Sequence, residues 1–371
     1  MTQEKINNRQ LLFILFIIRT TLIIATLPVL TTGDAAQDAW ISSIIVLIGS
    51  IMVVTAIGAL SREFPEMTII EYSRALLGKT FGTIVSLGFL WLFLHIAATD
   101  TRIYSEVLAD GFLPATPIVV TAGSIVIVSA LAVYLGIETI GRSADALMPI
   151  LTAFVVISII AGLGLFDSKN LEPIFARGIG PIVSGTVTPI GVSVQFLSLA
   201  MLTPALTEPE KVVTTAVVAV SLAGLALIVT SIVVVGALGP ELASSAIFPL
   251  FKTSRATMFT RFLERLEAPG IVAWGLGLFI DVSTFLYCGS KGLAQLFGLK
   301  DYRPLVAPMA VIWVTLSVHA YDDLFEALRL FRPGTLFPYV SIVGFIPVLL
   351  LWGAHILRGA PGRLRDSRRR K

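Results

Sequence analysis

Three apolar runs of this chain each carry a few residues able to bind rather than to bury. The run LLFILFIIRTTLIIATLPVL holds one cation, Arg19, followed by the hydroxyls of Thr20 and Thr21. The run GIVAWGLGLFIDVSTFLY holds one acid, Asp281. In TPIGVSVQ, residues 188–195, Pro189 removes a backbone donor and Gly191 permits an opened turn, with Ser193 and Gln195 adding a hydroxyl and an amide. A helix opened there frees N–H groups suited to a carboxylate and carbonyls suited to an ammonium. The plain alternative is an ordinary proline kink.

Bond-making chemistry finds no comparable support. His95, His319 and His355 stand apart from one another near helix ends, where they read as polar tips at headgroup level. No Gly-rich phosphate loop follows a strand, and no Ser, His and acid spacing suggests a nucleophile. The single cysteine, Cys288, offers neither a disulfide framework nor a metal cluster. The expectation is no catalytic residue, no metal and no cofactor.

The elements that must position these residues follow from composition. Hydrophobic residues make up 56% of the chain, charged residues 14%, and the mean hydropathy is +0.89, values that predict an integral membrane protein. Apolar stretches near the roughly 20 residues of a bilayer span recur often enough to predict about ten transmembrane helices, which satisfy their own backbone polar groups. Lys5, Arg9, Arg62, Arg74, Lys79, Arg142, Lys211, Lys300 and Arg303 fall on one side of a ten-span layout, so both ends of the chain are expected in the cytoplasm. The reading is one transmembrane domain over 1–357, with an external helical loop at 239–269 and a basic cytoplasmic tail at 358–371. That tail is suited to anionic lipid headgroups or to anchoring topology, and nucleic acid is not an expected partner.

Weak internal symmetry accompanies the ten spans. Ala25-Thr26-Leu27-Pro28 closes the first span and Met201-Leu202-Thr203-Pro204 the sixth, five spans later, as inverted-repeat transporters would have it. The motifs GIETIGRSADALMPI (136–150), LPATP (113–117), RFLERLEAPGIVAW (261–274) and KDYRPLVAP (300–308) go further. Their order and spacing resemble the spore germination permease family, the GerAB-type B subunits of nutrient germinant receptors. The resemblance implies a fold like that of the amino acid, polyamine and organocation transporters: a 5+5 inverted-repeat all-α bundle, with repeats at about 11–166 and 185–357. It also implies a central pocket beside the first and sixth helices, A-type and C-type partner subunits in the inner spore membrane, and a small nutrient such as an amino acid as ligand. An autonomous secondary amino acid transporter is the alternative. The stretch Leu147 to Leu165 lacks the Lys or acid expected of a proton-coupled relative, which favours sensing. One departure stands out, since the first helix carries no glycine where the family unwinds, leaving Thr hydroxyls or Arg19 to take that role.

Four structural expectations result. Thr20, Thr21, Gly191, Ser193 and Gln195 should line a mid-membrane ligand pocket. Asp281 lies about 16 Å below the outer end of its span and Arg19 about 12 Å above the inner end of its own. In a core of about 30 Å these depths nearly coincide, so the two should form an intramembrane ion pair unless each meets water separately. The charges of 261–267 should mark an exposed helix start, and Glu138, Arg142 and Asp145 should clasp the inner ends of the fourth and fifth spans.

Overall fold

The computed structural model describes residues 4–25, 27–245 and 267–358, and every regular element among them is a helix, with one isolated bridge between Ile6 and Leu206. The first span comprises α1 (Asn8–Ala25) and α2 (Leu27–Ala35), and the second is α3 (Ala39–Glu63). A short α4 (Ile69–Leu77) precedes the third span, α5 (Lys79–Gly111), followed by α6 (Ile118–Leu135) and α7 (Ile137–Leu163). The sixth span joins α8 (Ile179–Val192) to α9 (Ser198–Leu202), and the seventh is α10 (Val212–Ser245). Then come α11 (Glu267–Phe297), α12 (Arg303–His319), the small α13 (Leu324–Arg329), and a tenth span of α14 (Pro333–Val340) and α15 (Ile346–Arg358). Eight of these stretches are long and apolar enough to cross a membrane. The first span and the shorter α12 complete the expected layout.

Local sequence sets the corners. Thr68 and Glu71 form a capping box at the start of α4, with the Thr68 N–H donating to the Glu71 carboxylate at 2.9 Å. Gly136, at φ 108°, turns α6 into α7 in a conformation that side chains rarely adopt. Glu4 fills the space beside it, accepting from the Ile137 N–H at 3.1 Å and pairing with Arg303. A carboxylate there meets the positive end of α7.

Both ends of the bundle show the alternation of a ten-span chain. At one end the start of the chain reaches the loop between the sixth and seventh spans and the first turns of α7. Its Ile6 N–H donates to the Ala205 carbonyl at 2.9 Å, its Asn8 amide to the Glu208 carbonyl at 3.1 Å, and its Arg9 pairs with Asp145 at 3.2 Å. At the other end, the Gln37 amide donates to the Pro173 carbonyl at 3.1 Å and Asn170 to the Gly236 carbonyl at 2.8 Å. Asp145 therefore clasps the first span to the fifth, not the fourth to the fifth. Glu138 and Arg142 pair with each other along α7 in an exposed position, worth only a few tenths of a kcal/mol. The segment 246–266, with Arg261, Glu264 and Arg265, and the tail from 359 lie outside the described residues. Glu267 does begin α11.

The corner between α4 and α5 is tight enough to test. A Cβ on Gly82 would stand 2.5 Å from Arg74 Cα and 2.6 Å from the Ser73 carbonyl oxygen, both backbone atoms that cannot swing aside. Gly82→Ala is expected to destabilise the protein by about 1–3 kcal/mol. Gly123→Ala, where nothing lies within 4 Å, should leave the melting temperature of the detergent-solubilised protein unchanged or slightly raised. Equal melting temperatures for the two variants would refute the packing argument.

Candidate functional site

A small, largely enclosed cavity lies in the middle of the bundle. Its walls are Leu22 from the first span, Ile96, Thr99 and Asp100 from α5, and Val192, Val194 and Gln195 from the sixth span. Leu330, Phe331 and Leu336, from the segment leading into the tenth span, close it. Its volume, about 20 Å³ as open to the centre of a water molecule, is near the minimum for a single water. Admitting anything larger requires these walls to part.

The sixth span does depart from α-helix after Pro189 and Gly191, though not by opening. Residues Ser193–Leu197 tighten into a 3₁₀ turn, with Ser193 at φ −63° and ψ −8°. The expected liberation of backbone groups is replaced by tighter winding, because every residue of the turn stays in right-handed helical space. Polarity for a ligand comes instead from a side chain. Gln195 is fully buried, and neither its Oε1 nor its Nε2 has a hydrogen-bond partner, a rare condition for a buried amide.

The other expected residues disperse around this centre. Gly191 faces the tenth span, where a Cβ would meet Val340, Leu336 and Phe337 at 3.5–3.7 Å, and so touches the cavity only through Leu336. Ser193 Oγ lies 2.9 Å from Ser50 Oγ on α3. The Thr20 hydroxyl is buried without a partner, and the Thr21 hydroxyl donates to the Ile17 carbonyl at 2.7 Å while packing against Gly277 of α11. Of the five, only Gln195 lines the cavity itself.

Arg19 and Asp281 do not pair. Arg19 Nη2 donates to the Pro189 carbonyl at 3.2 Å and reaches Ser50 Oγ at 3.5 Å, while Nη1 has no partner. The reason is angular: residues two apart on a helix point about 200° apart, and Thr21 already faces α11. Matching depth is no substitute for matching azimuth. Arg19 joins the first span to the second and sixth, one turn below the cavity. Asp281 Oδ2, on the opposite side of α1, is buried and unpartnered.

Sequence reading missed the contribution of α5. Its apolar run gives out near Ala98, yet the helix continues to Gly111 and buries Thr99, Asp100, Arg102 and Glu106. Arg102 pairs with Glu106 at 2.5 Å and donates to the Val318 and Asp322 carbonyls at 2.5 and 3.0 Å, strapping α5 to the end of α12. The four-residue spacing of Arg102 and Glu106 was the available signal. His95 is no isolated interface residue either. Its Nδ1 lies 3.0 Å from the Tyr339 hydroxyl, its Nε2 3.0 Å from that of Tyr321, and Tyr321 lies 2.8 Å from Thr99 Oγ1. A single direction of donation satisfies the chain, from Tyr339 through a neutral imidazole and Tyr321 to Thr99, whose own hydroxyl donates to the His95 carbonyl. Burial pushes the Tyr321 hydroxyl above its ordinary range, so it remains a neutral donor at physiological pH.

This helical bundle, with a closed cavity among its first, third, sixth and tenth spans, has a fold found in solved membrane proteins that bind small molecules. Solved structures agree in fold. MhsT in complex with L-phenylalanine superposes with a TM-score of 0.66 at 13% identity, covering 95% of this chain and 99% of its own. Mhp1, a nucleobase-cation-symport-1 family transporter with bromovinylhydantoin bound, gives 0.68 at 12%, covering 93% and 78%. The chain belongs to the spore germination protein family, whose model matches residues 5–323. It is similar to spore germination protein KB of Bacillus subtilis, 28% identical over 89% of this chain and 90% of that one. Spore germination protein YndE of the same organism is 26% identical over 88% and 90%.

A guanidinium buried without a counter-ion is costly, and its removal is often neutral or stabilising. Arg19→Met is therefore expected to melt no lower than the wild-type protein. The exchange Arg19→Asp with Asp281→Arg should show no recovery over either single variant. Recovery by the exchange, measured as melting temperature in detergent, would restore the ion pair that the geometry rejects.

Proposed function

We propose that this chain is the nutrient-sensing membrane subunit of a spore germinant receptor, held in the inner membrane of the spore and acting with A-type and C-type subunits. The ligand is a small molecule such as an amino acid, taken up between the first and sixth spans, within repeats at about 11–166 and 185–357. The observation that carries this reading is Gln195, an unpartnered amide on the wall of the one central cavity described, in a fold shared with solved structures that hold small molecules. Gly191 bears on this cavity through its contact with Leu336, and Thr20, Thr21 and Ser193 lie on the flanking turns of the same two spans.

Autonomous amino acid transport is the second reading, favoured by the transporter relatives. Against it, the charged residues of α7 are Glu138, Arg142 and Asp145, all in its first turns, and the stretch through mid-membrane has none. The chain reconstituted alone in liposomes separates the two: a sensor binds a labelled amino acid, and a transporter accumulates it.

Gly191 supplies the test of the pocket. A methyl group fits at ordinary contact distance, 3.5–3.7 Å from its neighbours, whereas a Leu side chain must displace Leu336 and Phe337. Gly191→Ala should germinate in response to nutrient as the parent does, and Gly191→Leu should lose the response at unchanged protein level. An unaltered dose response in the Leu variant would remove the pocket from this part of the bundle.

A further inference from the structure

We infer that Asp100 and Asp281 form a seat for the positively charged amine of the nutrient, an inference that rests on the cavity being the ligand site. Asp100 lines that cavity beside Gln195. Asp281 stands on α11 at nearly the same level. The layers above and below fix this: Tyr104 of α5 packs on Trp274 at 5.2 Å between ring centres, and Phe93 stacks on Phe285 at 5.9 Å. Asp100 is one turn inward of Tyr104, and Asp281 one turn outward of Phe285, which puts both acids on the facing stripes of the two helices and about 4.5 Å apart in depth at 1.5 Å per residue.

Among the described residues neither carboxylate makes an ion pair or a side-chain hydrogen bond. Among the described residues no cation reaches either acid. Arg102 is held by Glu106 and two carbonyls, Arg19 by the Pro189 carbonyl, and Lys291 donates to the Tyr287 hydroxyl at 2.8 Å. Two carboxylates buried in a bilayer-spanning bundle without a cation are an incomplete arrangement, and an ammonium group completes it. Gln195 adds an amide N–H₂ suited to a carboxylate oxygen on the same ligand. The remaining walls, Leu22, Val192, Phe331 and Leu336, are apolar. Together these features select a small α-amino acid with an apolar side chain. Asp100 touches the amine; Asp281 acts from behind as a second negative charge.

The test is equilibrium binding to the purified full chain in lipid nanodiscs, using the standard amino acids, isobutylamine, isovalerate, glucose and inosine as probes. L-Valine or a comparable apolar amino acid should bind, isobutylamine more weakly, and isovalerate not at all. Asp100→Asn should weaken amino acid binding about tenfold or more, as loss of a charge-assisted hydrogen bond does. Asp100→Glu should retain most of it, and Asp281→Asn should lose less than Asp100→Asn. Melting temperatures of all three variants check that the fold is kept. Wild-type affinity in Asp100→Asn, isovalerate binding as tightly as valine, or displacement of the amine by sodium or potassium chloride alone would overturn the seat. Binding of glucose or inosine with no amine bound would overturn the seat and leave the cavity as a ligand site. Failure of every probe to bind the wild-type chain would remove the cavity reading and the seat together.

Discussion

Inside a bilayer there is no water to take a hydrogen bond, and this absence organises the whole molecule. Backbone groups are satisfied within helices, and most intramembrane hydroxyls turn back on their own helix. Ser61 donates to the Ile57 carbonyl, Thr101 to Ala97 and Thr284 to Ile280, each four residues earlier. Such residues consume their own polarity and ask nothing of a partner. Several buried hydroxyls lack a partner, and so do three more polar groups of the span interiors: the amide of Gln195, Nη1 of Arg19, and Oδ2 of Asp281. In a soluble protein such groups would be lost among hydrated neighbours, but here they converge on the same middle third of the bundle.

The two ends are closed by different means. Inside, the N-terminal segment threads beneath the bundle and pairs its backbone with the end of the sixth span, its Glu4 with α7 and Arg303, and its Arg9 with Asp145. Outside, closure depends on side chains of α5, through Arg102 to the carbonyls at the end of α12 and through Thr99 to Tyr321. The inner closure combines backbone bonds with several charged pairs near solvent, and the part of the outer one nearest the cavity rests on one buried guanidinium. A buried ion pair broken on one side leaves an unpaired charge, so the outer closure is suited to an all-or-none release rather than gradual loosening.

Much of the fold was legible because hydropathy at this level leaves few alternatives. The spans, their helical nature and the side on which cations gather follow from apolar run length and the positions of Lys and Arg. Azimuth was not legible. Arg19 and Asp281 agree in depth, yet depth along an axis is one coordinate, and the direction in which α1 presents Arg19 depends on packing against α3 and α8. The end of α5 was hidden for a related reason. Asp100, Arg102 and Glu106 lower the hydropathy where the helix passes the cavity, so the apolar run ended well before the helix did. Gln195 was recognised because an amide in an apolar run has no self-satisfying geometry, unlike the hydroxyls of Thr21 and Ser193, whose partners proved to be local or structural.

In the reading proposed above, the position of Asp100 gives a physical reason for ligand occupancy to be felt outside the cavity. It lies between Thr99, which holds Tyr321, and Arg102, which holds the end of α12, all on one turn of one helix. A cation drawn against Asp100 acts on the same turn that anchors the outer closure, and Phe331 and Leu336 complete the path by forming both the cavity roof and the approach to the tenth span. Transport and sensing share this step, since each begins by coupling ligand to closure. They part at the inner end. A transporter must next release the backbone pairing of Ile6 with the sixth span, together with the Glu4 and Arg9 contacts, whereas a sensor need only pass the strain of closure to whatever protein lies against it. The extent of that inner strap, tying one short segment to three separate spans, weighs toward the second course.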